Sequence, residues 1–364
     1  MDKVELASLC LLHSISGIGN RSLYKIKEEY KSFAAFLNMD AAKMYKTFLA
    51  PELADKIIAL RQQKTALSYL DYLDRRGIKL VTLEDPEYSP LLAVISDPPC
   101  LLYYQGRIEL MSAICFAVVG SRAATVYGKN VAQKMGSELA DHNLVVVSGM
   151  ARGIDTEAHR GALAARGQTI AVLGSGFDNI YPAENMKLFE EICTSGLVLT
   201  EYQPQTAPEP GNFPMRNRII AGLSRGVIVV EARKKSGALI TADLALEQGR
   251  DVFAIPGPIT SRNSEGTNNL IKQGARLVAC IDDVLEDYYD ITGPGKVTQP
   301  ELSMLVLDQE ESQVIDCMGY EPVHFDKLMQ LTRFDIGLLS TVMLALEFKG
   351  LVKGIPGNFY VKIG

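Results

Sequence analysis

The chain has 364 residues, 47% of them hydrophobic and 22% charged, with a formal net charge of −6. At roughly 150 residues per domain this is about two to three domains with ample material for a buried core, so a chain disordered throughout is excluded. No apolar run reaches the roughly 18 residues of a membrane span, and six cysteines without a Cys-x-x-Cys pair, with four scattered histidines, predict a cytoplasmic protein with reduced thiols and no metal centre.

Residues 1 to about 65 read as short helices joined by a Gly17-Ile18-Gly19 turn, opening on Asp2, Lys3 and Glu5 and not on a basic-then-apolar leader. A connector follows over 66–112, with a helix, a short strand and turns at Asp85-Pro86, Ser89-Pro90 and Asp97-Pro98-Pro99. From about residue 113 the pattern changes. Apolar runs at Ile114–Val119, Leu144–Val147, Thr169–Leu173, Leu197–Leu199, Val227–Val230 and Val252–Ile255 alternate with amphipathic stretches at Lys129–Asp141, Asp155–Arg166, Glu184–Thr194 and Leu239–Glu247. Strands that are apolar throughout, separated by helices, predict a parallel sheet covered on both faces. The expected fold is therefore a doubly wound Rossmann-like α/β domain of six or seven strands, spanning 66–290 with its connector. An acidic linker with Gly293, Pro294, Gly295 and Pro300 is expected over 291–310. Residues 311–364 read as a small helical unit closing with a Pro356-Gly357-Asn358 turn and a short strand.

The net charge conceals a local excess of the opposite sign. Residues 281–316 carry ten acids and one base, which leaves the rest of the chain at +3. Between Asn212 and Lys235 six bases face one acid, Glu231. Local potential is what draws a polyanion, so acidity on average does not exclude DNA.

Ligands of open parallel sheets bind beyond the carboxyl ends of the strands. Those ends here are small and polar: Gly120-Ser121-Arg122, Ser148-Gly149-Met150-Ala151-Arg152-Gly153, Gly174-Ser175-Gly176 and Pro256-Gly257. One such turn is explained by tight chain reversal alone. Four on one rim predict a phosphate-binding surface, with backbone amides and helix N-termini as donors. The first turn lacks the G-x-G-x-x-G spacing of a dinucleotide site, and no P-loop or G-x-S-x-G elbow occurs. No cofactor is expected. His159 is read as structural, and Glu201 and Glu231 as strand-end carboxylates that orient neighbouring arginines, with a general-base role as the alternative. In the segment from Asn212 to Ser224, Pro214 suits the first turn of a helix. Asn217 and Arg218 then fall near its N-terminal end, and guanidinium forks match phosphate oxygens. Binding is favoured over catalysis, and no catalytic residue is assigned.

These residues resemble the bacterial DNA-processing protein A family (DprA, also called Smf). The likeness is carried by Glu87–Gly106 and by matching stretches over 117–128, 146–159, 169–185, 212–224, 229–232, 236–257 and 266–275, with Tyr88-Ser89-Pro90 where the family usually has Tyr-Pro. The resemblance implies a dimeric Rossmann-like protein that binds single-stranded DNA without turnover, protects incoming DNA in natural transformation and helps load the RecA recombinase. It implies DNA contacts at Arg122, Lys187 and the polar residues of the Phe213–Ser224 motif, among them Arg216, Asn217 and Arg218, and Asn212 and Phe213 beside them join the expected site. The rim turns Gly120, Ser121, Ser148, Gly149, Gly174, Ser175, Gly176, Ser236 and Gly237 complete the expected site. Stacking is expected from Tyr127, Tyr181 or Phe213, each of which has a core role as its alternative. The N-terminal module is similar to a SAM or helix-hairpin-helix unit, and two readings of its glycine turn, DNA contact and scaffold, stay open. The C-terminal unit resembles the family's winged helix. Its few bases (Lys327, Arg333, Lys349, Lys353 and Lys362) favour protein contact over DNA. The enzyme alternative is a phosphoribohydrolase on a related sheet, whose Pro-Gly-Gly-x-Gly-Thr loop is here interrupted between Pro256-Gly257-Pro258 and Gly266-Thr267.

Overall fold

The computed structural model describes residues 1–63, 66–288, 307–319 and 321–362, so the expected linker lies, as far as residue 306, outside the described residues. The chain opens with helices α1 (Lys3–His13), α2 (Asn20–Tyr30), α3 (Phe33–Leu37), α4 (Ala41–Met44), α5 (Pro51–Gln63) and α6 (Ala66–Asp74). Their starts follow from short polar caps: the Asp2 carboxylate accepts from the Val4 and Glu5 amides at 2.9 Å, and Ser32 caps α3.

A nine-stranded sheet follows. Its strands are β1 (Lys79–Thr82), β2 (Leu101–Gly106), β3 (Cys115–Val119), β4 (Val145–Ser148), β5 (Thr169–Val172), β6 (Leu197–Thr200), β7 (Gly226–Val229), β8 (Asp251–Ala254) and β9 (Arg276–Leu277), in the order β1-β2-β6-β5-β4-β3-β7-β8-β9. Every pairing from β6 to β9 is parallel, and β3 to β7 are buried along their whole length, as all-apolar strands require. The connector supplies two strands, where the sequence suggested one. β1 and β2 pair antiparallel and extend the sheet past β6.

Helices α7 (Pro90–Ala93), α8 (Val126–Asp141), α9 (Ile154–Ala164), α10 (Met186–Ser195), α11 (Asn212–Leu223), α12 (Gly237–Glu247), α13 (Glu265–Lys272) and α14 (Asp282–Leu285) complete this part. Ile219 and Leu223 of α11 and Ala242 of α12 join one sheet face, and Met135 of α8 and Ala158 of α9 join the other. Leu9, Leu12, Leu23 and Ile57 of the N-terminal helices share a core with Tyr103, Leu173 and Val198 of the sheet region. The N-terminal module is thus packed directly on the sheet. Strand order reverses between β3 and β7, so the crevice that such sheets offer a ligand lies beyond the carboxyl ends of those two strands.

The C-terminal residues form α15 (Gln309–Cys317), β10 (Val323–His324), α16 (Phe325–Thr332), α17 (Ile336–Phe348), β11 (Val352–Ile355) and β12 (Phe359–Lys362), with a sheet ordered β10-β12-β11. This winged-helix arrangement has its own core, including Val314, Leu328, Leu339 and Leu346. Gly357 and Asn358, both at positive φ, turn β11 into β12. Among the described residues no helix is long and apolar enough to cross a membrane, and no group of His, Cys, Asp or Glu could hold a metal ion.

Candidate nucleic-acid interface

Three loops meet at the carboxyl ends of β3, β4 and β5. The Ile154 amide donates to Ser121 O at 3.3 Å, which ties the loop after β4 to the loop after β3. Asn185 Nδ2 donates to Met150 O at 2.9 Å and Thr156 Oγ1 at 2.8 Å, which fastens the segment after β5 to the same place. On this frame stands a row of alternating character. The Arg122 guanidinium lies 5.0 Å from the centre of the Phe213 ring, the Tyr181 ring lies 5.7 Å from Phe213, and the Arg152 guanidinium lies 5.7 Å from Tyr181. Arg122, Tyr181 and Arg152 are exposed and Phe213 is half-buried. Glu184 closes the row, its two oxygens each accepting from Arg152 (Nε and Nη2) at 2.8 Å. The hydrogen bond to Arg152 holds the Glu184 carboxyl below its ordinary range.

Beneath the row lies Arg216, only 3% exposed. It donates to Gly149 O at 2.8 Å and to Val172 O, so one guanidinium satisfies carbonyls at the carboxyl ends of both β4 and β5. The Asp155 carboxylate beside it accepts from the Gly149 and Ala151 amides at 3.1 and 3.4 Å. Burial raises the Asp155 carboxyl and pulls Arg216 down to about 10, which still leaves the arginine charged at neutral pH.

Arg218, 7% exposed, donates through Nη2 to both oxygens of Glu201 at 2.6 and 2.7 Å and lies 3.4 Å from Asp97. Asn20, at the start of α2, donates to Glu201 at 2.7 Å and accepts from the Cys100 amide at 3.0 Å. The network joins the N-terminal helices, the connector, β6 and α11. It gives the residue after the glycine turn a scaffolding task. Glu201 therefore orients an arginine as expected. Glu231 does not: it accepts from Thr125 N at 2.9 Å, Thr125 Oγ1 at 2.5 Å and Asn263 Nδ2 at 3.3 Å, and so anchors the start of α8. His159 is fully buried, with Nδ1 2.7 Å from Thr169 Oγ1. Thr169 donates its own proton to Val146 O, so it accepts from Nδ1–H and leaves the Nε2 lone pair without a partner. Burial, reinforced by Arg216, lowers this imidazole to about 3.

A family model described as DNA recombination-mediator protein A matches residues 79–289, and one described as DprA winged helix domain matches residues 298–358. The chain belongs to the DprA/Smf family. Protein Smf of Synechocystis is 36% identical over 346 residues, covering 85% of this chain and 86% of that protein. The DNA processing protein DprA of Streptococcus pneumoniae is 50% identical over 197 residues, covering 54% and 70%. The X-ray structure of that pneumococcal DprA superposes with a TM-score of 0.67 at 37% identity, over 79% of this chain and 98% of its own. The DNA processing protein A of Helicobacter pylori, a structure described for its single-stranded DNA binding mode, gives 0.53 at 33% identity over 58% and 96%.

Within this DprA/Smf chain the expected site residues separate by depth. Arg122, Lys187 and Gly237 are exposed, and Gly120, Asn212, Phe213, Asn217 and Ser236 are half-buried. Asn217 Nδ2 donates to Gly237 O at 3.4 Å, which brings α11 to the Ser236-Gly237 turn. The other eight are buried: Ser121, Ser148, Gly149, Gly174, Ser175, Gly176, Arg216 and Arg218. Their placement corrects the expected amide cradle. The Ser121 amide donates to Glu231 O, that of Gly149 to Asp155 and that of Gly176 to Thr206 O, so these donors are occupied by the protein itself. The Ser148 and Ser175 hydroxyls likewise donate to Val118 O and Asn179 O. The missing Cβ atoms serve packing. At Gly149 a Cβ would stand 2.5 Å from the Arg216 guanidinium, and at Gly174 2.7 Å from the Phe213 ring. Gly120 and Gly176 are crowded in the same way, by Ile154 and by Gln203 O. Arg216 and Arg218 hold the rim up from below and supply no exposed charge to it. Of the stacking candidates, Tyr127 packs against the core under α8, whereas Tyr181 and Phe213 stand on the rim. The sequence reading passed over Arg152 and Glu184 as contacts, although Arg152 stands in a turn singled out for its glycines.

Proposed function

We propose that the chain binds single-stranded DNA along the Arg122–Phe213–Tyr181–Arg152 row and leaves its bonds intact, acting as a recombination mediator that protects incoming DNA and loads RecA in natural transformation. The observation that carries the binding reading is the row itself. Guanidinium groups attract phosphates at any sequence, and the rings between them, Tyr181 exposed and Phe213 half-buried, stack bases of any identity. Family membership and the described binding mode of the Helicobacter pylori relative support the same ligand class. Exposed Lys187 and the Ser236-Gly237 turn, which Asn217 of α11 reaches, belong to the proposed surface as well. Family membership supports the RecA partnership and a two-fold dimer as part of this reading, and a dimer would set two rows on one strand and raise affinity through effective concentration. The winged helix is assigned to protein contact, because α17 carries no lysine or arginine and exposes Ile336, Leu344 and Phe348.

The test is a gel shift with labelled oligothymidine and with a duplex of the same length, at two salt concentrations. Salt-sensitive binding of the single strand is expected, with strong loss in Arg122→Glu and an unchanged thermal melt. Unaltered affinity in that variant removes Arg122 from the site. Release of free base from nucleoside monophosphates would overturn the non-enzymatic reading.

A further inference from the structure

The two arginines of the rim are in different states. Arg122 makes, among the described residues, no hydrogen bond or ion pair; it lies over the Phe213 ring, and its charge is felt by buried Asp155. Arg152 occupies the equivalent position at the other end, against Tyr181, but the Nε–Nη2 edge of its fork is taken by Glu184. A carboxylate offering two oxygens to Nε and Nη2 has the arrangement in which guanidinium receives a phosphate. We propose that Glu184 occupies the seat of a nucleic-acid phosphate, so that Arg152 is a second phosphate-binding group, freed when a phosphodiester displaces the carboxylate. This rests on the single-stranded DNA reading above.

Three features carry it. Half of each side chain is exposed, 49% for Arg152 and 56% for Glu184, and ion pairs of that kind contribute little to stability, so an incoming anion exchanges with one cheaply. The backbone around the pair does not depend on it, because Asn185 already ties the two loops together through Met150 O and Thr156. Arg152 also keeps a second support, Nη1 lying 3.5 Å from Tyr181 Oη, so it remains over the ring once the carboxylate has moved. Exchange at Arg152 trades one anion for another, so a lone nucleotide gains little from it. A strand already held at Arg122 and stacked on the rings brings its next phosphate at high effective concentration. Glu184 is thereby a specificity determinant that favours polymer over monomer.

The experiment titrates labelled oligothymidine with the full chain in four forms: wild type, Glu184→Gln, Arg152→Ala and the double variant, over a range of salt. Glu184→Gln is expected to tighten binding by about two- to fivefold, the span of a surface ion pair. In the Arg152→Ala background the same substitution should do nothing. Arg152→Ala should lower the slope of log K against log salt by about 0.7, the loss of one single-strand phosphate contact. Equal tightening by Glu184→Gln with and without Arg152 would reveal only a general field effect and overturn the proposal, as would a wild-type Kd and slope in Arg152→Ala. If Arg122→Glu abolishes binding while those outcomes hold, the rim survives and this inference alone falls. A wild type that ignores oligothymidine removes both.

Discussion

Stacking and charge on the rim separate cleanly when Phe213 and Arg122 are each cut to alanine. Phe213 is half-buried, with one side against the Gly174 backbone, where a Cβ would come within 2.7 Å, and its ring 5.7 Å from Tyr181. Base–aromatic stacking is worth about 1–3 kcal/mol, and a ring partly covered by its own protein falls in the lower part of that range. Phe213→Ala should therefore weaken binding by about 1–2 kcal/mol, or roughly five- to thirtyfold in Kd. Because no phosphate contact is lost, its salt slope should match the wild type. Arg122→Ala should instead lower the slope by about 0.7, so that its deficit shrinks as salt rises. Fluorescence anisotropy with oligothymidine between about 50 and 200 mM salt reads both quantities. A Phe213→Ala variant within twofold of wild type, or one whose slope falls as far as that of Arg122→Ala, would show that the ring does not act as a stacking platform.

His159 predicts a stability loss in mild acid. Its folded value near 3 lies below the ordinary 6.5, so the unfolded chain takes up a proton that the fold refuses. The stability this contributes is complete above about pH 6.5 and is lost as pH falls toward about 3, amounting to about 2 kcal/mol at pH 5. Half-buried His13 is lowered too, by desolvation, and acts in the same direction. Urea midpoints at pH 7 and pH 5 measure the loss, and an undiminished pH 5 deficit in His159→Gln would exonerate this imidazole. Glu201→Ala removes both hydrogen-bond acceptors of the buried Arg218 guanidinium and leaves it only the ion pair with Asp97 at 3.4 Å. With Asp97 still paired, the expected cost is about 2–3 kcal/mol in urea unfolding, with faster proteolysis of the N-terminal helices, and a loss under about 1 kcal/mol would mean that the network is not a structural tie.

The central strands could be read from the sequence because each is apolar on both faces and flanked by amphipathic helices. The second strand of the connector could not: β2 follows a run of turns and is placed by its antiparallel pairing with β1 on one side and β6 on the other. Arg122 was legible as a cation just past a strand end. Arg216 and Arg218 looked the same in sequence, yet they are buried, because their acceptors Gly149, Val172 and Glu201 stand 17 to 67 residues away. The same reason hid the partnership of Arg152 with Glu184, 32 residues apart. Glycines that admit a neighbouring protein atom and glycines that admit a ligand are alike in sequence. Gly149 and Gly174 proved to be of the first kind.

The shared packing of Leu9, Leu12, Leu23 and Ile57 with Tyr103, Leu173 and Val198 has a practical consequence for any shortened form of the protein. Trimming away the first 78 residues would lay bare an oily flank of the Rossmann unit and cut Asn20 from Glu201. A relative that dispensed with these helices would need some other element to roof that flank.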